Sequence, residues 1–409
     1  MGYEKDLQKY AELLVKVGLN VQKGEPVYIQ ASIESSSFVH LLVEEAYKVG
    51  AEDVQVKYKD DRLQQLKYKY EPEEFFSEIK QYVVDERLDY LDRKAAFLSL
   101  ISSSPDSLKD ADPKKINKAM AASGKAFKDY MVAIQSDKVS WCVAAYPSVG
   151  WAKMMYPDLD DQEAFDKLLE TILKTVRVDQ EDPVKAWEEH DKTLHEKAEY
   201  LNNKKYKALH YKSEGTDLTI ELPKLQYWSG ASSVNSKGNS FVANMPTEEV
   251  FTAPHKNGVN GTVKNTLPLS HSGNIIDDFT ITFKDGEVVD YKAGVGEEIL
   301  KGILETDEGA KRLGEVALVP VDSPISNMNA LFYNTLFDEN ASCHIALGSA
   351  YAFCIEAGKN MTEEELAENG LNDSMTHVDF MIGSKGLSID GILENGEREP
   401  VFRDGNWAF

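Results

Sequence analysis

Near the end of the chain, the stretch THVDFMIGSKG alternates an imidazole and a carboxylate, His377 and Asp379, with Val378 and Phe380. Side chains two apart on a strand project to the same side. His377 and Asp379 would then share one face, while Val378, Phe380 and Ile382 turn into a core. An edge strand with a polar outer face has this pattern, and so does a pair of metal ligands; the second reading needs partners. Three other stretches offer them. NMPTEEVFTAP carries Glu248 and Glu249 before an apolar pair, and RLGEVALVP puts Glu315 at the entry to a strand of Val316, Ala317, Leu318 and Val319. FDENASCHIALGSAY contains Glu339, His344 and Tyr351. Carboxylates and imidazoles in this mixture suit zinc, cobalt or manganese. No H-E-x-x-H is present, which excludes the helical zinc-protease signature. Ligands dispersed over strand ends fit a two-metal site in which one carboxylate bridges the ions. Taken singly, each residue has a plainer reading. A Glu at a strand entry is ordinarily solvated. His344 between Cys343 and Ile345 reads equally as a hydrogen-bonded core histidine, and Tyr351 as a packed aromatic.

The elements that must position these residues show two rhythms. YEKDLQKYAELLVKVG puts Leu7, Tyr10, Leu14 and Val17 on one helical face, with Gly18 placed to end the helix. PVYIQA reads as a buried strand, SSSFVHLLVEEAYKVG as a second helix closed by Gly50, and DVQVKY as the next strand. That alternation predicts a parallel sheet. AAFLSLIS and VSWCVAAYP continue it as strands, and DPKKINKAMAASGKAFKDYM as one helix. Residues 1–182 are therefore expected to form an α/β domain with a mainly parallel sheet. A charged connecting helix follows over 183–204; His190 and His195 lie five apart on it, off any common face, and are expected at the surface. Short β runs then dominate, among them KALHYKS, DLTIELP, NSFVANMP and DDFTITFKDGEVVDYKAG, with few helices such as GEEILKGILE. They predict an α+β C-terminal domain over 183–409, rich in antiparallel or mixed strands and barrel-like. Asp285-Gly286 is a hairpin signal within it.

Bulk properties exclude several functions. With 409 residues the chain is long for one core. Its 69 acidic and 45 basic residues give a net charge of −24, the wrong sign for a nucleic-acid partner. The 3 cysteines form no framework and point to a reducing, cytoplasmic compartment. No signal-peptide pattern and no run of about 18 apolar residues is visible, so no membrane partner is expected. Asp6 replaces the Ser or Thr of a myristoylation context at Gly2. The first half has a nucleotide-fold rhythm without a G-x-G-x-x-G or P-loop, and GVGEEI lacks the third glycine.

The strings NMPTEEVFTAP, RLGEVALVP, ENASCHIALGSAY and HVDFMIGS, in this order and at these separations, resemble the thermophilic-type metalloaminopeptidases, the family of aminopeptidase T, AmpS and PepS. The similarity runs from the first helix to the closing GNWAF and looks closest to a streptococcal PepS-like member. By that resemblance Glu249, Glu315, His344, His377 and Asp379 match ligands for two divalent cations (Zn²⁺, Co²⁺, Mn²⁺ or Mg²⁺), with Glu315 as the bridge. Glu339 and Tyr351 match residues the family uses in catalysis, Glu339 as general base or, alternatively, as a further ligand. One departure is Glu248-Glu249-Val250, where members often show Gly-Glu-Val. The resemblance implies an aminopeptidase that releases N-terminal residues from short peptides with a free N-terminus, and a homodimer. The alternatives are a two-metal hydrolase of another bond, such as a phosphoester, or a binding module with a structural ion. The motif strings carry no Arg or Lys, which phosphate recognition usually requires.

Overall fold

The computed structural model describes residues 3–271 and 274–409, and the Gly2 reading lies outside them. The chain forms two compact units, Met1–Glu189 with Ser232–Pro246, and His190–Ala231 with Thr247–Phe409.

In the first unit, apolar strands alternating with helices build a parallel sheet. Its order among the described residues is Asn244–Met245, Trp141–Ala145, Ala96–Ile101, Val27–Ser32, Val54–Lys59. Ile29 pairs with both Val56 and Leu98, and Leu98 with Cys142. Such continuous apolar runs suit strands covered on both faces. Helix Glu4–Leu13 runs into a wider turn, Leu14–Gly18, where a side chain on Gly18 would meet Cys142 Sγ at 3.0 Å. Tyr10 donates to the Ala145 carbonyl at 2.9 Å and stacks on Phe38 of the helix Ser36–Val49, tying both helices to the sheet. That second helix stops at Gly50, whose φ of 99° favours glycine. One expectation changes. The single helix read over 112–131 is two, Pro113–Ala126 and Lys128–Gln135, because Phe127 leaves helical geometry and packs its ring 4.4 Å from the Arg87 guanidinium.

The second unit is built from antiparallel sheets. One path runs through Leu269–His271, Asn274–Lys284, Val259–Lys264, Thr216–Glu221, Ala208–Ser213, Ser388–Ile392, Arg398–Arg403 and Asn406–Trp407. Glu287–Val295 joins Asn274–Lys284 through the expected hairpin, with φ of 51° at Asp285 and 82° at Gly286, as a type I′ turn requires. The other sheet has the order His377–Met381, His344–Gly348, Leu313–Leu318, Val250–Thr252, Ser229–Gly230. On one of its faces Val250, Val316, Leu318, Ile345, Leu347, Val378 and Phe380 join the same buried cluster as Leu209, Leu218 and Ile220 of the longer sheet. Each such side chain contributes about 1.5–3 kcal/mol when fully buried. This core fixes the register of the strands that carry the candidate residues.

Candidate metal centre

Register decides which side chains meet. Glu315 pairs with Ala346 and Ala346 with Asp379, while His344 pairs with Ala317, His377 with Gly348, and Phe251 with Ala317. Paired residues share a face. Glu315, His344, His377 and Asp379 therefore leave the sheet opposite the core, with Glu249 two residues before Phe251 on the same side. The small Ala346 and Gly348 lie between them and leave room for the larger groups. A side chain at Gly348 would collide with the Thr376 carbonyl, and its φ of 107° suits glycine alone.

His344 Nε2 lies 3.1 Å from Glu249 Oε2 and 3.7 Å from Glu315 Oε1. His377 Nε2 lies 3.4 Å from both Glu315 Oε2 and Asp379 Oδ1. Two trios result, Glu249–Glu315–His344 and Glu315–His377–Asp379, each with its ligand atoms within 4.8 Å of one another, and Glu315 belongs to both. The imidazoles are aimed from behind. His344 Nδ1 is 3.0 Å from the Ser342 carbonyl and His377 Nδ1 is 2.7 Å from that of Ser349. A carbonyl only accepts, so each Nδ1 carries the hydrogen and each Nε2 faces the carboxylates, the usual orientation of a metal-binding histidine. Glu249 Oε2 and Asp379 Oδ1 are buried without a hydrogen bond of ordinary geometry. Buried carboxylate oxygens left so are costly unless a cation takes them. Buried carboxylate oxygens that converge with aimed imidazoles around one shared carboxylate fit divalent cations.

Charge inside the cluster is strongly coupled. Burial pulls the His344 imidazolium down, but Glu249 and Glu315 outweigh it and hold the ring well above the usual range. His377 is likewise raised against its burial, chiefly by Asp379. Burial raises the Glu315 carboxyl, yet His344 and His377 bring it below its ordinary value. Glu339 sits on the short turn Glu339–Ala341 after the helix Thr335–Asp338 and keeps part of its surface exposed. Burial of its carboxyl, followed by the charges of Asp379 and Glu249, pushes it well above the carboxylate range. A small cleft is lined by Leu269, Ser270, Thr335, Asp338, Glu339, Asp379 and Met381. The Tyr351 ring stacks on Phe353 at 5.2 Å and lies 5.1 Å from the His377 ring.

The model of the family described as thermophilic metalloprotease (M29) matches residues 3–407. The chain belongs to that family. It is 55% identical over 408 residues to aminopeptidase AmpS of Bacillus subtilis (strain 168), covering 100% of both chains. Aminopeptidase PepS of Streptococcus thermophilus is 47% identical over 408 residues, covering 100% of this chain and 99% of the relative. The Bacillus relative is thus more similar than this streptococcal one. The solved structure of wild-type AmpT from Thermus thermophilus superposes with a TM-score of 0.94 at 39% identity, covering 100% of each chain.

Two features of this metalloprotease were not visible in the pattern of its residues. The two carboxylates of the Glu248-Glu249 departure diverge: Glu249 faces His344, whereas Glu248 Oε2 lies 3.5 Å from His190 Nε2. His190 is correspondingly not a surface residue, for its side chain is 12% exposed and its Nε2 lies 2.8 Å from the Thr247 carbonyl. His195, at 50%, is at the surface as expected. Five residues turn a helix by roughly 140° beyond a full circle, so one of the pair can face inward while the other does not. Asn340 was also missed. It is fully buried beside Glu339, and an Asn in a polar string carries no sequence signal of burial.

Proposed function

We propose that this chain releases N-terminal residues from short peptides using two divalent cations, one in each trio, with Glu315 shared between them. The family and its relatives make it a metalloaminopeptidase, a peptide-bond hydrolase. The observation that carries the two-cation reading is that the trios share one carboxylate while each owns one aimed imidazole. Glu249, Glu315, His344, His377 and Asp379 would hold Zn²⁺, Co²⁺, Mn²⁺ or Mg²⁺. Bound there, such cations polarise a scissile carbonyl and bring the pKa of water toward neutrality.

The chain's own groups do the rest. Glu339 takes the proton of the attacking water and returns it to the leaving amine. Its surroundings hold that carboxyl above the usual carboxylate range, so it takes up a proton more readily than an exposed Glu would. The Tyr351 hydroxyl donates to the oxyanion of the tetrahedral species, its ring held between Phe353 and His377. The concentration of carboxylates receives the cationic α-amine of the peptide. Catalysis is assigned to the second unit, His190–Ala231 with Thr247–Phe409, within the 183–409 region read as catalytic from the sequence. The resemblance supports a homodimer, and free thiols at Cys142, Cys343 and Cys354 suit a cytoplasmic location.

Turnover of a dipeptide and its N-acetylated form, with and without chelator, tests the reading alongside elemental analysis of the same preparation. Expected are two cations per chain and cleavage of the free peptide only. Equal cleavage of the acetylated peptide would remove the aminopeptidase assignment, and one cation at full activity would remove the paired site.

A further inference from the structure

Glu249 and Glu339 come from separate segments of the chain, yet one side chain touches both segments. Asn340 is fully buried. Its Oδ1 accepts the backbone N–H of Glu248 at 2.8 Å, and its Nδ2 donates to the Leu336 carbonyl at 3.0 Å. The same Nδ2 lies 3.5 Å from Glu339 Oε1. From the other side, His190 Nε2 reaches the Thr247 carbonyl at 2.8 Å, and since a carbonyl only accepts, that nitrogen carries the hydrogen. The two residues before Glu249 are therefore held from both flanks. Of the two holders, only Asn340 also belongs to the turn that presents Glu339.

We propose that Asn340 is a positioning residue that sets the Glu339 carboxylate relative to the Glu249 carboxylate, an inference that rests on Glu339 being the base. The amide is suited to it by chemistry. One end accepts from the ligand-bearing segment and the other donates into the base-bearing turn, so neither segment shifts without breaking a buried hydrogen bond. An orphaned buried donor or acceptor is costly. Misplacement of a reacting group by about 1 Å is enough to cost about 10²-fold in rate. A carboxylate in place of the amide separates the two contacts. It still accepts the Glu248 N–H, but it sets an oxygen against the Leu336 carbonyl and Glu339.

The test uses the full chain at saturating Zn²⁺ with a dipeptide substrate. Asn340→Asp and Asn340→Ala are each made alone and in a Glu339→Gln background. Alone, each is expected to lower kcat by about 10–100-fold, with KM and bound metal within about 2-fold. In the Glu339→Gln background the same changes are expected to cost less than about 3-fold, because the group they position no longer moves a proton. An equal loss in both backgrounds would make Asn340 merely structural and overturn the proposal, as would unchanged kcat in the single variants. Should Asn340→Ala not fold, the near-isosteric Asn340→Asp carries the same comparison. Near-normal kcat in Glu339→Gln itself would instead remove the base assignment, which is a separate failure.

Discussion

The parallel sheet of the first unit and the antiparallel sheet that carries the candidate centre treat charge in opposite ways. Around the first, ionisable groups pair near solvent: Lys57 with Glu86 at 2.8 Å, and Arg93 with Asp53 at 3.1 Å, the latter side chains 35% and 41% exposed. On the second, Glu249, Glu315, His344 and Asp379 are no more than 10% exposed, and they face one another. Topology permits the difference. Parallel strands need helices on both faces and become apolar throughout, whereas an antiparallel sheet can bury one face and leave the other for different work. Here that other face is loaded with charge rather than solvated. Crowded buried charges do little for stability. The metal site proposed above would account for their arrangement in this unit.

The largest effects should follow from emptying that face. Glu315→Ala removes the one carboxylate common to both trios, so bound metal and activity should both be lost. Chelation should do the same reversibly, with Zn²⁺, Co²⁺ or Mn²⁺ restoring turnover. Full activity in a preparation shown by elemental analysis to be metal-free would collapse the contrast between the two sheets. Next in size is Glu339→Gln, which keeps shape but cannot take a proton. Its kcat should fall by about 10²–10⁴-fold while KM changes little. If Glu339 were a ligand, bound metal would fall too, and added metal would recover part of the rate.

A third test splits one strand between its two faces. Asp379→Ala should lower bound metal and activity with a modest change in stability. Val378→Ala should keep metal and lose about 1–3 kcal/mol in urea unfolding, since Val378 belongs to the core side. The reverse outcome would mean that the strand sits one residue out of register. This alternation was legible in the sequence because a period of two needs only neighbours, and the Asp285-Gly286 turn was legible because few residues adopt its backbone. The convergence of Glu249, Glu315 and His344 was not readable from spacing, because it depends on pairings such as Ala317 with His344 that no local pattern encodes. The resemblance supplied what spacing could not. Asn244–Met245, which adds to the first sheet beside Trp141–Ala145, is too short to show any period. The helices Asp61–Tyr70 and Gln81–Asp92 went unread because charged residues interrupt their apolar faces.

The smallest effect belongs to the first unit and sharpens the comparison from the other side. The Tyr90 hydroxyl donates to Asp53 Oδ2 at 2.6 Å, and Arg93 joins it. Tyr90, with Arg93 assisting against slight burial, holds the Asp53 carboxyl below its ordinary value. A lowered folded value means that this contribution is complete above the unfolded pKa, near 3.9, and is lost as pH falls through the folded one. Asp53→Asn should therefore destabilise the chain at pH 7 by only about 0.2–1 kcal/mol, as exposed pairs do. The gap between the urea midpoints of parent and variant should stay constant down to about pH 4.5 and narrow below it. Peptidase activity should be unchanged. A gap above about 2 kcal/mol at pH 7, or a loss of turnover, would show that charge on the first unit is not peripheral, and the division of labour drawn between the two sheets would fail.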